Sequence, residues 1–129
     1  MSPSQILVVE DERDIADMMI FLLQKEGYEA QYAANGALAL EFLSTASADL
    51  ILTDVMMPVM GGDELLKSLR SVDRLRTIPV LVLSALSEEV VRELCEGMSA
   101  FLRKPFHGDQ LLAAVRTLLT GAAPIDPGK

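Results

Sequence analysis

The apolar residues of this chain change period at regular intervals. Residues 5–10 carry the run Ile6, Leu7, Val8 and Val9. That run is too uniformly apolar for a half-exposed strand and too short for a helix, so it predicts a strand covered on both faces. Over residues 12–26, Ile15, Met18, Met19, Leu22 and Leu23 recur at the spacing of an amphipathic helix, and Gly27 predicts its stop. Tyr28, Ala30 and Tyr32 alternate with Glu29 and Gln31, the pattern of a half-exposed edge strand. Asn35 predicts the cap of a helix over 36–43, with Leu38, Leu40 and Phe42/Leu43 as its apolar positions. The pattern then repeats: a covered strand over 50–53, a loop over 57–62, a helix over 63–70 and a covered strand over 79–83. Ser87 opens a helix running to Glu96 before Gly97, a short strand covers 100–103, and a last helix covers 109–119. Five strands alternating with five helices predict right-handed crossovers and a doubly wound, mostly parallel α/β sheet. One domain over 1–120 and a short Pro/Gly-rich flexible tail over 121–129 complete the expectation.

Composition narrows the function classes. Half of the residues are apolar, as in ordinary globular proteins, and the apolar runs fall far short of the roughly 20 residues of a membrane helix. Eleven basic residues against 19 acidic give a net charge of −8, which repels nucleic acid and anionic lipid and argues against direct DNA binding or membrane insertion. The single cysteine, Cys95, excludes an internal disulfide. With no secretory leader visible, it fits a reducing cytoplasm.

In a doubly wound sheet, ligands bind beyond the carboxyl ends of the strands. Strand one ends in Glu10 and Asp11, strand three in Asp54, strand four in Ser84 and strand five in Arg103 and Lys104. Two carboxylates ~5 Å apart at an effective dielectric of ~20 repel by roughly 3 kcal/mol, so a cation would relieve the cluster. An all-oxygen donor set without His or Cys favours Mg²⁺. A nucleophilic aspartate, a Mg²⁺ site, a lysine and a hydroxyl are the parts required to transfer a phosphoryl group to a carboxylate.

Four segments carry a family resemblance: I-L-V-V-E-D-E at 6–12, L-I-L-T-D-V-M-M-P-V-M-G-G at 50–62, V-L-V-L-S-A at 80–85 and F-L-R-K-P-F at 101–106. In this order and at these strand ends, the chain resembles the receiver domain of two-component response regulators over residues 5–119. The resemblance implies a flavodoxin-like five-stranded sheet in the order 2-1-3-4-5. It also implies that Asp54 is the phosphoacceptor, that Glu10 and Asp11 are the acidic pair, and that the backbone carbonyl of Met56 completes the Mg²⁺ site. Asp11 would be the direct ligand and Glu10 would act through water. Ser84 and Lys104 would contact the phosphoryl group, Pro105 would follow a cis peptide bond, and Phe101 would be the switch aromatic that moves with Ser84. The implied function is that of a signalling module, not a conventional enzyme. Its donor would be a sensor histidine kinase or histidine phosphotransfer protein. Its output would be a protein contact through the fourth helix, fifth strand and fifth helix or through the first helix, with a homodimer as one form.

The chain departs from the commonest receiver pattern at four positions. Glu10 replaces the more frequent Asp, Ser84 stands where Thr is commoner, Phe101 lacks the phenolic hydroxyl of Tyr, and Met56 is apolar beside the acceptor. Without a polar group there to orient water, slow hydrolysis of the aspartyl phosphate is expected. On the first helix, Ile20 with Ala16 is the expected apolar docking face for the donor. His107 reads as a helix start, and Cys95 as a packed residue without chemistry. Three other functions fit less well. An aspartyl-phosphate hydrolase would want an acid where Met56 stands, and an FMN carrier would want a phosphate-binding loop in place of Glu10, Asp11 and Glu12. A receiver fold serving only as a binding platform would not need the full set of Asp11, Asp54, Ser84 and Lys104.

Overall fold

The computed structural model describes residues 3–121. Ten elements alternate along it: β1 (Gln5–Val9), α1 (Arg13–Lys25), β2 (Glu29–Ala33), α2 (Gly36–Leu43), β3 (Leu50–Asp54), α3 (Gly62–Arg70), β4 (Val80–Ser84), α4 (Glu88–Leu94), β5 (Ala100–Arg103) and α5 (Gly108–Thr120). The strands form one sheet in the order β2-β1-β3-β4-β5, every neighbouring pair parallel. This is the expected architecture. Strand alternation divides the core in two. Leu7, Val9, Ile51, Val80 and Val82 face α2, α3 and α4, whereas Ile6, Val8, Leu50, Leu52, Leu81 and Leu83 face α1 and α5. β1, β3 and β4 have both faces covered, which is why they read as unbroken apolar runs.

Boundaries shift by a residue or two. β3 extends to Asp54 and β4 begins at Val80 and includes Ser84, so both site residues lie within strands. α4 stops at Leu94 rather than Glu96. Of the expected tail, all but Gly121 lies outside the described residues. Gly27 adopts φ 91°, the left-handed conformation that ends α1 as expected. Asn35 caps α2 by accepting Leu38 N–H at 3.0 Å. No helix among the described residues is long and apolar enough to cross a membrane.

Two helix faces correct the sequence reading. On α1 the buried stripe is Ala16, Met19 and Leu23, while Met18 is 44% exposed and Phe21 62% exposed. Ala16 is therefore core, and Ile20 is half-buried against the same cluster, so the expected Ile20–Ala16 docking face does not exist as drawn. The cause is composition: between Ile15 and Leu23 only Asp17 is polar, so several stripes satisfy the helical period. Packing against β2 and α5 selects among them. On α2, Ala39 and Leu43 are buried and Leu38 is exposed, for the same reason.

Candidate functional site

The carboxyl ends of β1, β3, β4 and β5 bring the polar residues to one rim. Glu10 follows β1 directly, and its main-chain N–H donates to Ala33 O at 3.1 Å, continuing the pairing with β2. Its side chain is fully buried. One carboxylate oxygen accepts Glu12 N–H at 3.2 Å and the other accepts Lys104 Nζ at 2.7 Å. Lys104 Nζ also donates to Asp54 Oδ2 at 2.8 Å, while Asp54 Oδ1 accepts Val55 N–H at 2.7 Å. Glu10, Asp54 and Lys104 thus form one contiguous charge network, closed by a residue 94 positions away from Glu10. Asp54 retains 9% exposure, a narrow opening toward solvent.

The electrostatics follow from burial. Loss of solvent raises the pKa of Glu10, an effect that the hydrogen bond from Lys104 offsets only in part. Burial alone would lower the pKa of Lys104, but its hydrogen bonds to Asp54 and Glu10 and their charges outweigh it and raise the pKa overall. Lys104 is therefore a firmly held cation. Asp11 is exposed, yet carboxylate oxygens of Glu10, Asp11 and Asp54 lie within 4.8 Å of one another. Three hard oxygen donors at that spacing fit Mg²⁺ and suit no soft metal.

The remaining expected residues sit around this core. Ser84 is buried at the end of β4, one residue past Leu83, which pairs with Asp54. Its hydroxyl accepts Leu86 N–H at 3.1 Å, and its carbonyl accepts Lys104 N–H at 2.9 Å. The Lys104–Pro105 peptide bond is cis. Phe101 is half-buried against the cluster beneath α2, α3 and α4. Met56 is 67% exposed, an apolar side chain at the rim. His107 is the N-cap of α5, its N–H donating to the Gln110 side chain at 2.8 Å. Cys95 is buried at the C-cap of α4, and burial pushes its thiol up to about 11.

Sequence reasoning missed the residues that hold the rim from behind. A Cβ at Gly62 would collide with the Asp54 carbonyl and one at Gly61 with the Val55 carbonyl, so α3 packs directly onto the backbone of the site. Gly62 N–H donates to Val55 O at 2.9 Å. Two successive glycines at the start of a helix are the legible trace of this close approach. In the preceding loop Val59 has φ 71°, spanned by a 2.8 Å bond from Met60 N–H to Pro58 O, a tight turn that strains a β-branched residue. The Met60 carbonyl then accepts Gly36 N–H at 2.9 Å, tying the loop to the start of α2.

Known proteins resemble this chain in sequence and fold. The sequence profile of the response regulator receiver domain matches residues 6–116. The sensory transduction protein RegX3 of Mycobacterium tuberculosis is 36% identical over 118 residues, 90% of this chain and 51% of RegX3. The chain thus spans about half the length of this curated relative. The receiver domain of a signal transduction histidine kinase from Syntrophus aciditrophicus superposes with a TM-score of 0.86 at 38% identity, covering 96% of each chain. The receiver domain of the sensor histidine kinase PA1611 from Pseudomonas aeruginosa PAO1, 28% identical with a TM-score of 0.85, covers 92% of this chain and 98% of its own. That structure has a magnesium ion coordinated in its active site cleft.

Proposed function

The chain belongs to the response regulator receiver domain family, and on that premise we propose that it accepts a phosphoryl group on Asp54 and accelerates the transfer itself. The observation that carries the reading is the buried network in which Lys104 Nζ bridges Glu10 and Asp54 beside the exposed Asp11. In the proposed step an Asp54 carboxylate oxygen attacks the phosphorus of a phosphohistidine. The P–N bond breaks, its electron pair stays on the imidazole nitrogen, and that nitrogen takes up a proton from water. The donor is a sensor histidine kinase or a histidine phosphotransfer protein. Asp11, Asp54 and the Met56 carbonyl would hold Mg²⁺, with Glu10 acting through water. The ion supplies neutralisation of the phosphoryl oxygens when bound.

Lys104, already bonded to Asp54, would pair with the added charge, which doubles the negative charge at Asp54. Ser84 would exchange its bond from Leu86 N–H for a bond donated to a phosphoryl oxygen. Phe101 would follow it inward, biasing two arrangements of the face built from α4, β5 and α5. That face or α1 would carry the output as a protein contact, in a cytoplasmic setting, as monomer or homodimer. The apolar Met56 offers nothing to orient an attacking water, so the phosphoryl group should persist. Met56→Asn or Met56→Glu should shorten its lifetime, and an unchanged lifetime would remove this point.

The deciding experiment is intact-protein mass after incubation with acetyl phosphate and Mg²⁺. A single phosphoryl adduct is expected, absent in Asp54→Asn and absent when Mg²⁺ is chelated. Folded, Mg²⁺-binding protein that takes no adduct would overturn the reading in favour of a receiver fold used as a binding platform.

A further inference from the structure

α4 is thinly attached to the sheet: of its seven residues only Val91 is buried, followed by Cys95 at the C-cap. What fixes the helix is therefore concentrated at its two ends. At the first end, Ser84 Oγ accepts Leu86 N–H, and Ser87 caps the helix by accepting Val90 N–H. At the second end the fixing group comes from another helix. Arg70, the last residue of α3, lays its guanidinium between two separate connections. Nη1 donates to Arg76 O at 2.9 Å and Ile78 O at 2.8 Å in the segment leading to β4. Nη2 and Nε donate to Gly97 O at 2.9 and 3.3 Å in the segment leading to β5.

All four bonds end on main-chain carbonyls, so the fork holds chain positions rather than a partner charge. Gly97 itself has φ 90°, a conformation that suits a pivot and excludes most side chains. The stem of Arg70 lies against it, since a Cβ at Gly97 would come within 3.7 Å of Arg70 Cγ. α3, from which Arg70 projects, buries Leu65, Leu66 and Leu69 and does not share the loose attachment of α4.

We propose that Arg70 is the positioning residue of α4: it pins the C-terminal end of the helix to α3, so that α4 moves by swinging about Gly97 when the Ser84–Leu86 bond at its other end is released. That phosphorylation drives the swing from the Ser84 end rests on the reading of Asp54 above; the anchor itself does not.

Residue-resolved hydrogen exchange on the full chain separates the two. In unmodified protein, Arg70→Ala should accelerate exchange at Val91, Cys95 and Met98 by about tenfold while the amides of β1 and β3 keep their wild-type rates. Arg70→Lys, which keeps the charge but loses the fork, should fall between the two. No change at Val91, Cys95 and Met98, or an equal acceleration through β1 and β3, would overturn the anchor. After treatment with acetyl phosphate and Mg²⁺, faster exchange in the wild type should stay within residues 86–90, and in Arg70→Ala it should spread to Cys95. An adduct that loosens both ends of wild-type α4 alike, or leaves residues 86–90 unchanged, would overturn the swing. Absence of an adduct would instead overturn the Asp54 reading and leave the first comparison to decide the anchor.

Discussion

α3 and α4 are neighbours on the same face of the sheet, yet they are attached in different ways. α3 buries Gly62, Leu65, Leu66 and Leu69 out of nine residues, and its first turn rests on the carbonyl groups of Asp54 and Val55. α4 buries Val91 alone and exposes Val90 and Leu94. The same sheet thus offers a fixed wall behind Asp54 and a loosely held helix beside Ser84. Elements that move in a switch are drawn from the weakly packed end of a structure, and elements that hold a nucleophile from the other. The boundary between the two runs along β4, whose five residues are all buried.

Substitutions can test that contrast directly. Leu66→Ala in α3 should cost about 3 kcal/mol, the range for a fully buried leucine, and chemical denaturation would measure it. Next comes Gly62→Ala. Its added methyl group meets the Asp54 carbonyl, and about 2 kcal/mol should be lost by the same measurement, together with Mg²⁺ affinity in a titration. A loss as small as that of a surface change would mean that the wall behind Asp54 yields. Cys95, at the joint between α4 and the core, gives a pH signature. Its folded pKa is raised from 9.0 to about 11. The stability linked to the neutral thiol is therefore complete below pH 9.0 and lost as pH rises through 11. By pH 10 this should amount to about 1 kcal/mol, absent in Cys95→Ala. Smallest of all, Leu94→Ala on the exposed side of α4 should change stability by no more than about 0.5 kcal/mol. A loss comparable to Leu66→Ala would show α4 to be as firmly packed as α3 and end the comparison.

The parts of the molecule that were legible in the sequence are those whose cause is local. β1, β3 and β4 announce themselves as apolar runs because helices cover both faces, and Asn35 and Gly27 mark helix ends by chemistry confined to one turn. The polar residues of the rim were legible because each one ends a strand. What stayed hidden is non-local. Eight apolar residues between Ile15 and Leu23 leave the inward face of α1 open until β2 and α5 choose it, which is how Met18 was placed inside and Ala16 on a docking face. Arg70 reads as an ordinary basic residue at a helix end, since its carbonyl partners lie up to 27 positions away. Val59 carries no glycine or asparagine to announce its positive φ.

The strand order has a consequence for how the chain assembles as it is synthesised. β1 is followed by β2 on one side, then by β3 on the other, then by β4 and β5 outward in turn. Each new strand joins an edge already present, and none has to be threaded between two that are in place. Folding can therefore follow the ribosome, N-terminal strands first. The last strand to arrive leads directly into Lys104, the cation that bridges Glu10 and Asp54. Until it docks, two carboxylates stand side by side on a half-built rim without their counter-charge and repel each other. Docking of the last strand is then also the event that brings this counter-charge to the rim, which couples completion of the sheet to completion of the site.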